Sequence, residues 1–271
     1  MSTDSTRPTD STRPTDSARP TESPGPAELT EPPAGRGFAI ERELELQTTP
    51  EDYWDAVTNG NAAWLWPIEP PEPRVGGAVA GLGTVEAWEP PNHLVLRHEG
   101  PNGWFNQLEH VIEARDGGTT WVRYVHSGVF VDDWDNQYDG AGKHTDFYLH
   151  TLGQYLLHFT RRAARYAAAD GPAASATPDG VDTLLRAAGL AGTKVGDRAQ
   201  VAIPGLPALH AVVDYLSPHF VGLRTEDAMY RVFGRGAFGA PTSVAAHLFS
   251  PDADEQATEK ALRNWLESIY A

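Results

Sequence analysis

Two hydrophobic periods, in a fixed order, restrict this chain more than anything else in it. Residues 38–131 alternate in short segments with a period of two, and residues 143–169 then run at helical spacing. Short alternating segments pair as antiparallel strands because each buries only one face, and a long amphipathic helix after them lays its apolar stripe on that face. Phe38 to Gln47 opens the series, with Ile40, Leu44 and Leu46 on one side and Glu41, Glu43 and Glu45 on the other. A helix start follows: Thr49 as N-cap, Pro50 at the first helical position, Glu51 and Asp52 near the positive end of the dipole. Tyr53, Trp54 and Val57 form its stripe and Asn59-Gly60 its stop. Beyond the prolines at 67, 70, 71 and 73, Thr84 to Trp88 turns at Pro90-Pro91-Asn92 into Leu94 to His98. Trp104 to Ala114 then turns at Asp116-Gly117-Gly118 into Thr119 to Val131. Over Lys143 to Ala169, the residues Tyr148, Leu152, Tyr155, Leu156 and Phe159 share one helical stripe.

The predicted class is therefore α+β: a helix-grip arrangement, with a curved antiparallel sheet wrapped around one long C-terminal helix. Particular residues carry a family likeness. Val75-Gly76-Gly77, the run Gly83-Thr84-Val85-Glu86-Ala87-Trp88-Glu89-Pro90-Pro91-Asn92-His93-Leu94, and Val125-His126-Ser127-Gly128-Val129-Phe130 resemble the SRPBCC or START-like superfamily. Within it the chain is most similar to the branch named for the activator of the heat-shock-protein ATPase, over about residues 38–168. The resemblance implies an elongated apolar cavity between sheet and helix that takes lipids, polyketides, hormones or other small hydrophobic molecules. A minority of such proteins catalyse cyclisation or related reactions there, and the branch name implies a cochaperone-like interaction module.

Residues 211–226 can be laid on 84–99 without a gap, so that Val212 matches Val85, Tyr215 matches Trp88, Pro218 matches Pro91 and Leu223-Arg224 matches Leu96-Arg97. Met229–Gly234 and Ser243–Phe249 supply two further strands, and Ala261, Leu262, Trp265, Leu266 and Ile269 form the stripe of a closing helix. The inference is an internal repeat whose second copy is shortened. No strand equivalent to 38–47 is expected before it, because Ala167 to Ala176 is rich in Ala, Gly and Pro and reads as a linker. The resulting domains are a tail at 1–37, a helix-grip domain at 38–169, a linker at 170–180 and a degraded half-domain at 181–271. The tail carries a hexad repeat, Thr-Asp-Ser-Thr-Arg-Pro at 3–8 and 9–14, whose composition predicts disorder.

Composition removes several functions. With 37 acidic against 21 basic residues, a net charge of −16, nucleic acid and anionic membranes are repelled. The absence of cysteine removes disulfides, thiolate metal sites and cysteine nucleophiles. No stretch approaches the ~20 apolar residues that a membrane span requires, and the expected location is the cytoplasm.

On the strand 104–114, Trp104, Asn106, Leu108, His110 and Ile112 share one face, and on 119–131 Val122, Tyr124 and His126 share another. With Tyr148, Leu152 and Tyr155 of the long helix they form the candidate ligand-binding wall, apolar with a few polar points. His126 or His110 could anchor a ligand or act as a base; alternatively His126 is satisfied by neighbouring backbone at a Ser127-Gly128 bend. No catalytic triad or phosphate loop is present. Gly234 to Gly239 has G-x-G-x-x-G spacing between strand-like segments and reads as a hairpin loop. His110, His126, His144, His150 and His158 lack metal-ligand spacing, and Asp135 to Gly140 with Asp146 mimics a calcium loop too poorly, reading instead as an acidic loop capping the long helix. Trp64 and Trp66 stand where they could gate a cavity mouth or pack in the core. The expectation is a binding protein for a small hydrophobic molecule, with no catalytic residue, metal or cofactor. A protein partner or a second copy of the chain is the alternative occupant, and a polyketide cyclase- or hydrolase-like enzyme the third reading.

Overall fold

Alternation decides the first element. In the computed structural model, which describes residues 35–81, 83–130 and 134–271, strand β1 (Arg36–Leu46) buries Phe38 and Ile40 and leaves Glu41, Glu43 and Glu45 exposed. The tail lies outside the described residues except at its end, where Arg36 and Gly37 already belong to β1. Helix α1 (Pro50–Thr58) begins where its cap predicts, with the Thr49 hydroxyl accepting from the Asp52 amide at 3.1 Å. Strands β2 (Ala78–Val79), β3 (Gly83–Glu89), β4 (His93–Glu99), β5 (Phe105–Arg115) and β6 (Thr119–Phe130) follow, then helix α2 (Trp134–His158). The β5–β6 turn uses Gly117 and Gly118 at φ of 77° and 76°, a left-handed conformation that side chains disfavour. All pairings are antiparallel, in the spatial order β1-β6-β5-β4-β3-β2.

A second sheet repeats this order. Strands β7 (Arg165–Asp170), β8 (Arg198–Val201), β9 (Leu209–Leu216), β10 (Phe220–Arg224), β11 (Ala228–Phe233) and β12 (Ser243–Leu248) pair as β7-β12-β11-β10-β9-β8. Helix α3 (Gly180–Ala187) follows β7 as α1 follows β1, and α4 (Glu255–Ile269) follows β12 as α2 follows β6. The two segments that align in sequence fall on the hairpins β3–β4 and β9–β10, and each hairpin carries a register shift. The second copy is shortened in every strand but β2's counterpart and β9, and in its closing helix, 15 residues against 25.

Three local readings are corrected. The long helix is displaced from 143–169 to 134–158, and the segment read as linker begins with a strand, β7, so the second copy has the first strand it was expected to lack. Alanine's helix preference misleads at 167–169. Pairing with β12 outweighs it, with Ala167 and Ala169 buried and Tyr166 and Ala168 on the opposite face. The acidic loop read at 135–140 is the first part of α2, supported by a Lys143–Asp139 ion pair one turn apart.

Helix α2 lies between the sheets. Toward the first sheet, Leu152, Tyr155, Leu156 and Phe159 share a core with Tyr53, Leu94, Ile112 and Val122. Toward the second, Phe147 meets Phe220 and Phe233 at ring-centroid distances of 4.9 and 5.2 Å. The opposite face of the second sheet packs on α4 through Leu262, Trp265 and Leu266. Between α2 and the second sheet is a buried ion pair, with Arg231 Nη1 donating to Asp214 Oδ1 at 3.0 Å and Oδ2 at 3.1 Å. Gly222 makes the pair possible, because a Cβ there would stand 2.1 Å from Asp214 Oδ1. Burial opposes ionisation of Asp214, yet the Arg231 charge and His150 outweigh it and hold the carboxyl below its ordinary range.

Candidate functional site: the concave face of the first sheet

The register of β1, β6 and β5 sets concave side chains in transverse rows. Leu44, Val122 and Ile112 form one, Arg42, Tyr124 and His110 the next, then Ile40, His126 and Leu108, then Phe38, Gly128 and Asn106. The sequence prediction that Asn106, Leu108, His110, Ile112, Val122, Tyr124 and His126 share a face agrees with this register. What differs along the rows is burial.

At one end the face is shut. Ile112, Val122 and Leu152 have no exposed surface and Tyr155 is 3% exposed, all within one packed cluster. At the other end Asn106, Leu108, Tyr124 and His126 are half-buried, and Trp104, just before β5, is half-buried beside them. Trp104 packs its ring over Gly100 and edge-on to His98 at 5.2 Å. Phe38 crosses β6 at Gly128, where a Cβ would meet its ring at 2.8 Å, and lies edge-on to His126 at 5.1 Å.

The polar groups pair side chain to side chain. His126 Nε2 donates to Asn106 Oδ1 at 2.9 Å, so its partner is a neighbouring side chain on this face and not the backbone of a bend; β6 continues through Ser127 and Gly128 to Phe130. His110 Nδ1 and the Tyr53 hydroxyl are hydrogen-bonded at 2.9 Å, and the Tyr124 ring stands edge-on to His110 at 5.1 Å. Arg42 spans to α2, with Nε 2.5 Å from Asp146 Oδ1. Burial lowers both His110 and His126 to about 4, so each ring is neutral at pH 7, and burial raises the phenols of Tyr53 and Tyr124. A neutral imidazole can accept or donate one hydrogen bond without a charge to desolvate.

Tyr53 and Arg42 were not singled out by sequence. Tyr53 reads as one more apolar position of α1, and no spacing announces that α1 delivers its hydroxyl to a strand 57 residues away. Tyr148 turns from this face toward the second sheet, lying 5.6 Å from the Phe233 ring and 5.7 Å from Trp66. The two tryptophans after α1 divide: Trp64 is buried and donates to the Ala56 carbonyl at 2.9 Å, while Trp66 is 42% exposed.

Two cavities lie at the flanks of α2. A groove of about 510 Å³ runs between β1 and α2, with Leu44, Leu46, Gln154 and Tyr215 among its walls. A smaller one of about 290 Å³ is bounded by Trp66, Tyr148, Tyr166, Phe233 and Arg235. Of the predicted wall, Tyr148 lines the smaller cavity and the other residues line neither. Among the described residues no three His, Asp or Glu side chains gather as a metal site, and no helix is long and apolar enough to cross a membrane.

No family model matches the chain, and no curated protein matches it. Solved structures similar to it include CalU16 from Micromonospora echinospora, at 23% identity and a TM-score of 0.36, over 46% of this chain and 79% of that one. DynU16 of the dynemicin biosynthetic locus covers 86% of this chain and 95% of its own, at 15% identity and a TM-score of 0.37. The Aha1 dimer from Colwellia psychrerythraea matches 44% of this chain and 96% of its own, at 19% identity and a TM-score of 0.34. The architecture stands on the chain's own topology: a helix after the first strand, a six-stranded antiparallel sheet, and a long helix after the sixth strand. The fold is a helix grip. It is the arrangement that the START-like resemblance of the sequence implied.

Proposed function

We propose that this protein binds a small, largely apolar molecule on the concave face of its first sheet, at the half-open end bounded by Trp104, Leu108, Tyr124 and His126. The observation that carries the reading is the contrast in burial along one face. Its shut end is filled to 0% exposure at Ile112, Val122 and Leu152, whereas its other end leaves aromatic and aliphatic surface half-buried around a hydrogen-bonded Asn106–His126 pair. Ligand sites combine such apolar walls with a few placed polar groups. The neutral His126 ring serves as hydrogen-bond partner for one polar group of the ligand, and Asn106 fixes its tautomer.

Native mass spectrometry of the purified chain, followed by organic extraction, tests the proposal. One apolar molecule per chain is expected. Leu108→Trp, which fills the half-open end, should release it while the far-ultraviolet circular dichroism stays unchanged. A chain that carries no apolar molecule and takes up none from a mixed lipid and polyketide extract would overturn the reading. So would equal retention by Leu108→Trp.

A further inference from the structure

The smaller cavity has a chemistry that the concave face lacks. Its walls carry four aromatic rings, Trp66 from the segment after α1, Tyr148 from α2, Tyr166 from β7 and Phe233 from β11, beside small residues of β7 and β12, so both units build it. At its edge is Arg235, half-buried, whose guanidinium lies 4.8 Å from the centre of the Phe233 ring. Arg235 has no ion-pair partner among the described residues. Asp170, the one acidic residue of the lining, stands exposed at the rim.

His144 holds this cation in place. Its Nδ1 donates to the Gly140 carbonyl at 2.8 Å, which leaves a lone pair on Nε2, and Arg235 Nε donates to that lone pair at 3.3 Å. Burial and the adjacent guanidinium lower the His144 pKa and keep the ring neutral. Arg235 is thus oriented by a neutral acceptor, the Tyr148 hydroxyl and an aromatic face, and its charge is left without a counter-ion. A guanidinium in that state matches a carboxylate, and flat aromatic walls match a flat ring. An apolar cavity of about 150 Å³ admits benzene. At about 290 Å³ this one has room for two fused rings with a carboxylate.

We propose that the cavity between Trp66, Tyr148, Tyr166 and Arg235 is a second binding site, specific for a planar aromatic carboxylate whose ring lies among the aromatic walls and whose carboxylate pairs with Arg235. This site is independent of the concave face. Isothermal titration of the full chain with 2-naphthoate tests it. Saturable binding of one 2-naphthoate per chain is expected. Arg235→Gln should weaken it by about tenfold or more, while 2-naphthalenemethanol, which lacks the charge, should bind the parent and Arg235→Gln alike. His126→Ala should leave 2-naphthoate binding unchanged. Should Arg235→Gln fail to fold, Ala168→Leu, which fills the cavity from β7, gives the same reading: lost binding supports the site and retained binding overturns it. The proposal is also overturned by non-saturable binding, by equal affinity in Arg235→Gln, or by loss of 2-naphthoate in His126→Ala, which would move the ligand to the concave face.

Discussion

The face of the second sheet that meets α4 is closed along its length, with Val213, Leu223, Val232, Val244 and Ala246 at 0–4% exposure against Leu262 and Leu266 at 0%. The corresponding face of the first sheet is closed at one end and half-open at the other, where Asn106, Leu108, Tyr124 and His126 lie. The two units share one strand order, so topology alone does not decide how far a face is closed. The side chains decide. Small and aliphatic residues line the second sheet under α4, whereas Tyr124, His126, Arg42 and Trp104 stand half-buried on the first. The second unit in turn buries its other face on α2, so that β10, β11 and β12 are buried on both sides. The first sheet leaves its outer face, with Glu41, Glu43 and Glu45, to solvent.

Among single substitutions, the largest break in this comparison should come from the charge pair by which the second unit meets α2. Asp214→Ala leaves Arg231, 1% exposed, without its carboxylate, and should cost about 3–5 kcal/mol in urea unfolding. A loss below 1 kcal/mol would mean that water reaches Arg231 and that the second sheet does not seal α2.

Acid comes next. His110 on the concave face and His247, which meets the Ala62 carbonyl at 2.9 Å between the units, both have pKa values lowered to about 4 by burial. Unfolding restores them toward 6.5, so the unfolded chain binds more protons between these values. Stability is therefore fully present above about pH 6.5 and falls as the pH drops toward 4, by about 3 kcal/mol for each histidine. Thermal midpoints measured from pH 7.5 to 4 should fall in that window, with a shallower slope in His247→Gln. A flat profile would show that these rings are hydrated.

Leucine truncation sharpens the contrast between closed and half-open faces. Leu262→Ala in the second core should cost about 2–5 kcal/mol, because a residue at 0% exposure leaves a cavity when cut back. Leu108→Ala, at the half-open end, should cost about 2 kcal/mol less, since solvent or ligand can enter. Equal costs would place Leu108 in a sealed core. The smallest effect belongs to the outer face: Glu43→Gln should change stability by less than about 0.5 kcal/mol.

Much of the first unit could be read from the sequence because its signals are local. Alternation from Phe38 to Leu46 marked β1, Thr49 and Pro50 marked α1, and period two on 104–114 and 119–131 gave the shared face that the register confirms. The second unit hid its first strand. In β7, Ala167, Ala168 and Ala169 have neither the β-branched nor the aromatic side chains that announce a strand, and only pairing with β12 makes them one. The start of α2 was hidden by Asp135, Gly140 and Gly142, whose composition favours a loop; Gly140 suits the helix because a Cβ there would stand 3.2 Å from the Phe238 ring of the second unit, a constraint no local pattern encodes. For the same reason the sequence showed His110 without Tyr53, and Trp66 without Tyr166.

Two-dimensional nuclear magnetic resonance of the full chain, titrated with the apolar molecule it carries or extracts, tests the central contrast most directly. The account predicts shift changes at Trp104, Leu108, Tyr124 and His126, with Leu223, Val232 and Leu262 of the second core unmoved. Changes centred on the second core, or spread evenly over both units, would contradict it.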